Sequence, residues 1–193
     1  MKQKHTRILF ILCFFIISIT SRAQHGDEKK FKPQTEVILP VKDYGKVYNV
    51  PFATDRPDPN MQYKIVYEAS ISSPVDSFTQ VYTALDFAAK MYNLHVYGGV
   101  PQKNMDVVVV LGGPGIYAAM TNEAYRKRYG VDNPNTKLLQ ELKAAGIKLT
   151  GCSQSMLKHG IDPSEINPDV SLVFSRFTTV STLQMKGYAY FRF

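Results

Sequence analysis

A mainly parallel α/β sheet with helices on both faces is the fold class this sequence predicts. Three observations carry it. Strand-like and helix-like runs alternate over about 130 residues from Gln62 onward. The run Asp106–Leu111 holds four consecutive valines, the mark of a strand buried on both faces. Glycine and proline breaks, such as Gly112-Gly113-Pro114-Gly115, punctuate the runs where connections are needed.

The elements follow in order. Tyr63–Glu68 alternates as a strand does, and Ser72-Ser73-Pro74 breaks it. Asp76–Tyr92 reads as a helix, with Phe78, Val81, Tyr82, Leu85, Ala88, Ala89 and Tyr92 at spacings of three and four. His95-Val96-Tyr97 reads as a short edge segment. The valine strand Asp106–Leu111 ends at the glycines, and Asn122–Tyr129 is a short helix. Asn133-Pro134-Asn135 caps a further helix, Thr136–Ala145, which Gly146 stops. Ile147–Thr150 is the next strand and leads to Cys152, followed by the helix-like Ser153–His159. Val170–Phe174 is a strand, Thr178–Lys186 a helix and Tyr188–Phe191 a closing strand, about five strands in all.

Residues 1–23 read as a secretory signal peptide. Lys2, Lys4 and Arg7 make a basic start, Ile8–Ile19 is apolar apart from Ser18, and Ser21-Arg22-Ala23 places small residues at a cleavage site. The apolar run of about 12 residues falls short of the roughly 20 a membrane span needs. Cys13 follows Leu12, not a small residue, which argues against a lipoprotein signal. The expectation is an exported chain, periplasmic or secreted, cleaved near Ala23 and without a stable membrane anchor. Residues 24–61 then form an N-terminal extension ending on Arg56-Pro57-Asp58-Pro59-Asn60, and 62–193 form the α/β domain. Removing 1–23 takes away four basic residues and no acid, so the formal charge falls from +7 to +3. With no basic stripe interleaved with aromatics, nucleic acid is not an expected partner.

In parallel α/β sheets, ligands gather at the carboxyl ends of strands. Gly112–Gly115 and Cys152 both fall there. After cleavage Cys152 is the one thiol left. At a strand-to-helix turn it meets unpaired backbone N–H groups and the positive end of the helix dipole, both of which favour thiolate. Cys152 is therefore the candidate nucleophile or sulfur carrier. Gly112, Gly113, Gly115, Ser153, Gln154 and Ser155 are the candidate ligand-binding residues around it. A buried, inert thiol is the competing reading, because free cysteines are among the most buried residues. His159 lies about two turns on, roughly 10 Å away, too far to be a base for the thiol and well placed at the helix end. The lack of a local base favours a carrier or binder over a hydrolase.

Other chemistries fit less well. Gly113-x-Gly115-x-x-Ala118 formally matches a dinucleotide fingerprint, but Pro114 fills its first variable slot and the following helix is broken near Asn122. No cofactor is expected. His25, His95 and His159 share no ligand spacing with one another or with Cys152, so no metal is expected. No Gly-Lys-Ser/Thr follows the glycines, and the basic-aromatic run Tyr125–Tyr129 reads as a solvated helix face.

The ordered set Asn133-Pro134-Asn135, Leu139, Leu142, Ala145–Leu149 and Cys152-Ser153-Gln154-Ser155 resembles the DsrE/DsrF-like family. Ile161, Ile166–Val170, Leu183-Gln184 and Gly187-Tyr188-Ala189 fit it as well, so the likeness runs from about Tyr63 to the C-terminus. It implies a flavodoxin-like, three-layer α/β/α fold with about five strands, and a homo-oligomer, often a trimer or hexamer. In the better understood members a cysteine after this strand carries sulfur as a persulfide between proteins, a role that would fall on Cys152. Related sequences commonly have His-Gly where this chain has Gly112-Gly113, and Gly where it has Ser153. The expected function is thus an exported sulfur carrier or thiol redox protein with a protein sulfur donor or acceptor. The alternatives are a non-catalytic, oligomeric small-ligand-binding module, and an enzyme of another class on the same fold.

Overall fold

Parallel strands and helices alternate through the residues that the computed structural model describes, 39–70 and 78–192. The expected signal peptide, the first part of the extension and the Ser72-Ser73-Pro74 break lie outside them. The strands are β1 (Tyr63–Ala69), β2 (Met105–Leu111), β3 (Lys148–Cys152), β4 (Ser171–Val173) and β5 (Ala189–Arg192). The helices are α1 (Thr83–Tyr97), α2 (Asn122–Tyr129), α3 (Thr136–Ala144), α4 (Ser153–Lys158) and α5 (Arg176–Met185). A 3-10 segment, Gly113–Ala119, follows β2. The sheet order is β4-β3-β2-β1-β5 and every pairing is parallel.

Alternation along the strands builds two unequal cores. One face of the sheet presents Ile65, Tyr67, Val107, Val109 and Leu111 to Leu85 of α1 and to Leu138, Leu139 and Leu142 of α3. The other presents Val66, Val108 and Val110 to Val180 and Leu183 of α5. Each valine of Val107–Val110 therefore has an apolar neighbour on one face or the other, which is why the run does not alternate with polar residues. The result is the three-layer α/β/α, flavodoxin-like architecture, with all-parallel pairing where a mainly parallel sheet is expected.

The differences from the sequence reading have local causes. Helix α1 begins at Thr83 instead of Asp76. Tyr82 is extended, and its N–H donates to the buried Asn135 Oδ1 at 2.7 Å, so the chain enters the helix from there. Phe78, expected on the helix stripe, lies half exposed and stacks on Tyr129. The same helix runs through His95-Val96-Tyr97, expected as an edge segment, and stops only at Gly98-Gly99. Helix α5 starts two residues earlier than expected because the Ser175 hydroxyl caps it, accepting from the Phe177 N–H at 3.2 Å.

Asn133 and Asn135 act as a buried latch and not as a simple cap. Asn133 Nδ2 donates to the Ala118 and Met120 carbonyls at 2.9 and 2.7 Å, while the Asn135 side chain makes no capping bond to α3. These two side chains tie the 3-10 segment, the start of α1 and the start of α3 together.

Within the extension, Val41 is fully buried in the larger core. The buried Asn93 of α1 accepts from the Val41 N–H at 3.1 Å and donates to the carbonyls of Val41, Tyr44 and Gly45 at 2.9–3.2 Å. An Asn93→Ala change removes these partners from backbone groups shut away from water. It is expected to cost roughly 2–4 kcal/mol, read as a lower urea midpoint at unchanged slope. A loss within about 0.5 kcal/mol would show that this strap is not held by Asn93.

Candidate functional site

Cys152 is the last residue of β3, at the carboxyl end of an interior strand. Gly151 before it is closely packed: a Cβ there would lie 3.2 Å from both Ile116 Cδ1 and Val170 Cγ1, so these side chains would have to shift slightly. The chain then turns at once into α4 with Cys152 as its N-cap. Sγ accepts from the Ser155 N–H at 3.4 Å and from the Arg176 N–H at 3.2 Å. Arg176 is the first residue of α5, so two helix starts aim N–H groups at one sulfur.

The electrostatic consequence has a definite sign. Burial pushes the Cys152 thiol up, but the Ser155 hydroxyl and the backbone N–H groups of Arg176, Ser155 and Gln154 more than offset it. The thiol pKa is therefore lowered. The Ser155 hydroxyl is itself held in place, because its oxygen accepts from the Gly113 N–H at 2.8 Å. Cys152 is also only 1% exposed. The thiol is both buried and polarised toward thiolate, properties that the sequence reading treated as alternatives.

The glycine loop stands where the strand-end argument places it, although each glycine has its own packing reason. Gly113 has φ +51° and donates to Ser155. A Cβ on Gly112 would lie 2.4 Å from Arg176 Cδ, so the arginine side chain lies against it. Gly115 faces away from the thiol, against β1. Of the polar candidates, Ser155 is buried beside the sulfur and Ser153 is half-buried. Gln154 is exposed and contributes its backbone N–H. The fingerprint-like glycines open a 3-10 segment and not an α-helix, so they present no α-helix N-terminus to a pyrophosphate.

Behind Arg176 lies a polar cluster that the sequence reading missed. The Arg176 guanidinium pairs with Glu68 Oε1 and donates to Ser70 Oγ at 3.0 Å. Glu68 is buried at the carboxyl end of β1 and also accepts from the Ser70 hydroxyl and the Tyr190 hydroxyl, each at 2.5 Å. Burial pushes the Glu68 carboxyl up, but hydrogen bonds from Ser70, Tyr190 and Arg176 outweigh it and hold the carboxyl below its ordinary value. Burial and the bond to Glu68 push the Tyr190 phenol up to about 12. A signal for this cluster was present: the strand-end rule applies to β1 and β4 as well, and points at Glu68 and at Ser175-Arg176.

His159 closes α4 and its Nδ1 meets the Tyr117 hydroxyl at 3.1 Å. Burial, Lys158 and Arg128 lower its pKa, which favours a neutral imidazole over a charged helix cap. The basic-aromatic run on α2 has internal partners. Arg126 pairs with Asp132, Arg128 donates to the His159 and Gly160 carbonyls, and the Tyr125 hydroxyl donates to the Phe78 carbonyl. Among the described residues, no group of three His, Cys, Asp or Glu side chains is placed to hold a metal ion, and no helix is long and apolar enough to cross a membrane.

Comparison with known proteins gives the family. No curated protein matches the chain. Among solved structures, the protein of unknown function MTH1491 from Methanobacterium thermoautotrophicum is similar, with TM-score 0.48 and 19% identity. The match covers 67% of this chain and 98% of that one. The family model described as DsrE/DsrF-like matches residues 70–193, which include Cys152, the glycine loop and the whole of α5. With its parallel sheet, its strand-end cysteine and that match, the chain belongs to the DsrE/DsrF-like family.

Proposed function

We propose that this protein is a sulfur carrier that works outside the cytoplasm, as a homo-oligomer, through Cys152. The observation that carries this reading is the convergence of the α4 and α5 N–H groups on Sγ, which stabilises the thiolate needed to attack sulfur. Membership of a sulfur-relay type of family supports it. In the proposed step the Cys152 thiolate attacks the outer sulfur of a persulfide donor. An Sγ–S bond forms, the donor's S–S bond breaks, and its electron pair leaves on the donor's remaining thiolate. Cys152 then carries the extra sulfur, with no outside oxidant or reductant required. Phe174 and Phe177, at the end of β4 and the start of α5, are 76% and 69% exposed. Aromatic rings left in water on the two segments that border the thiol favour a protein donor or acceptor that docks there.

The test is the pH dependence of Cys152 alkylation, with intact-mass analysis after polysulfide treatment. The expected result is an apparent pKa below the roughly 8.5 of a free thiol and a gain of one sulfur that Cys152→Ser abolishes. A thiol that reacts only after denaturation would overturn the carrier reading. The 1% exposure of Cys152 would then favour the second reading, an oligomeric small-ligand-binding module with the same fold.

A further inference from the structure

We infer that the aromatic cavity on the α2 side of the glycine loop binds a small planar aromatic molecule. The cavity measures about 220 Å³ and is walled by the rings of Phe78, Tyr82, Tyr117, Tyr125 and Tyr129, with Pro114 of the glycine loop. It is separate from the sulfur: Pro114 borders it, whereas the neighbouring Gly113 N–H turns to Ser155. Nothing in the proposed sulfur transfer uses it.

Size and rigidity together define the occupant. Drug-sized ligands fill sites of roughly 300–1,000 Å³, so this volume suits a molecule of one or two rings. The walls are held in place before any ligand arrives. Tyr125 is tied to the Phe78 carbonyl at 3.0 Å, Tyr117 meets His159, and the Tyr82 backbone is held by Asn135. Tyr129 meets Tyr117 nearly edge-on, at 82° and 6.0 Å between centroids, and stacks on Phe78, so the wall rings hold one another's orientation. A site ordered in advance avoids the entropy cost of immobilising its side chains on binding.

Burial pushes the phenols of Tyr82 and Tyr125 up to about 12, so these walls stay neutral at physiological pH. The exposed Gln80 supplies an amide at the rim for a polar edge of the bound ring.

The chain contains no tryptophan. Indole fluorescence, excited to the red of tyrosine, therefore reports binding without protein background. Titrating indole with the purified full chain is expected to give saturable one-site binding, displaced by benzyl alcohol and displaced less well by its non-planar counterpart, cyclohexylmethanol. Phe78 is half exposed, so Phe78→Ala is expected to keep the fold, checked by circular dichroism, and to weaken indole binding about tenfold. The inference is overturned by non-saturable indole binding, by equal affinity in Phe78→Ala, or by cyclohexylmethanol displacing indole as well as benzyl alcohol does.

Discussion

Glu68→Ala is expected to cost the fold about 3–5 kcal/mol and to raise the Cys152 thiol pKa. Removing one partner of a buried ion pair leaves the other charge uncompensated, and that penalty is the larger part of the cost. Here Arg176 keeps only the Ser70 hydroxyl, which loses its own acceptor in the same change. The effect on the thiol follows from geometry. Arg176 links the two sites, its guanidinium on Glu68 and its backbone N–H on Sγ, so a released side chain loosens the first turn of α5. Urea unfolding measures the first effect, and the pH profile of Cys152 alkylation the second. A loss under about 1 kcal/mol would mean that the pair is not a structural link.

The same pair sets a dependence on acid. The Glu68 pKa is lowered in the folded state, so its contribution is fully present above the unfolded carboxylate pKa of about 4.3. It is lost as the pH falls through the folded value. Wild-type stability should therefore fall more steeply below about pH 4.3 than that of Glu68→Ala, which has already lost the contribution at neutral pH.

Gly115→Ala is the second large expected effect, about 3 kcal/mol or more. The new Cβ would lie 2.2 Å from the Ala69 carbonyl oxygen, and backbone at the end of β1 cannot rotate aside as a side chain does. The loop would have to move outward and take the Gly113 N–H from Ser155, so the variant should also lose part of the thiol's stabilisation. Gly146→Ala makes the contrast. Gly146 has φ +87° with nothing within 4 Å of the new Cβ, so only backbone strain of about 1–2 kcal/mol is expected. Equal losses in the two variants, measured by thermal or urea unfolding, would show that the close approach to Ala69 is relieved at little cost.

The sheet was legible because strand burial is written in near-neighbour residues. Val107–Val110 needs apolar partners on both faces whatever the helices are, and Gly151-Cys152 marks the end of a strand without reference to its neighbours. The start of α1 was not legible. Tyr82 is held outside the helix by Asn135, 53 residues away in sequence, and no local periodicity records that bond. Arg176 and Glu68 are 108 residues apart, and each alone reads as an ordinary surface charge.

The sequence by itself determined the fold class and the position of the one thiol it expects to remain after export, because residue periodicity and glycine breaks act over a few neighbouring residues. Only the tertiary structure decided the state of that thiol. Its acidity depends on Arg176 and Ser155 arriving from two helices. Its burial depends on packing between segments distant in sequence, and the charge behind it depends on Glu68 at the end of another strand. Those are through-space effects with ranges of a few ångströms, and only the folded chain brings the groups that close.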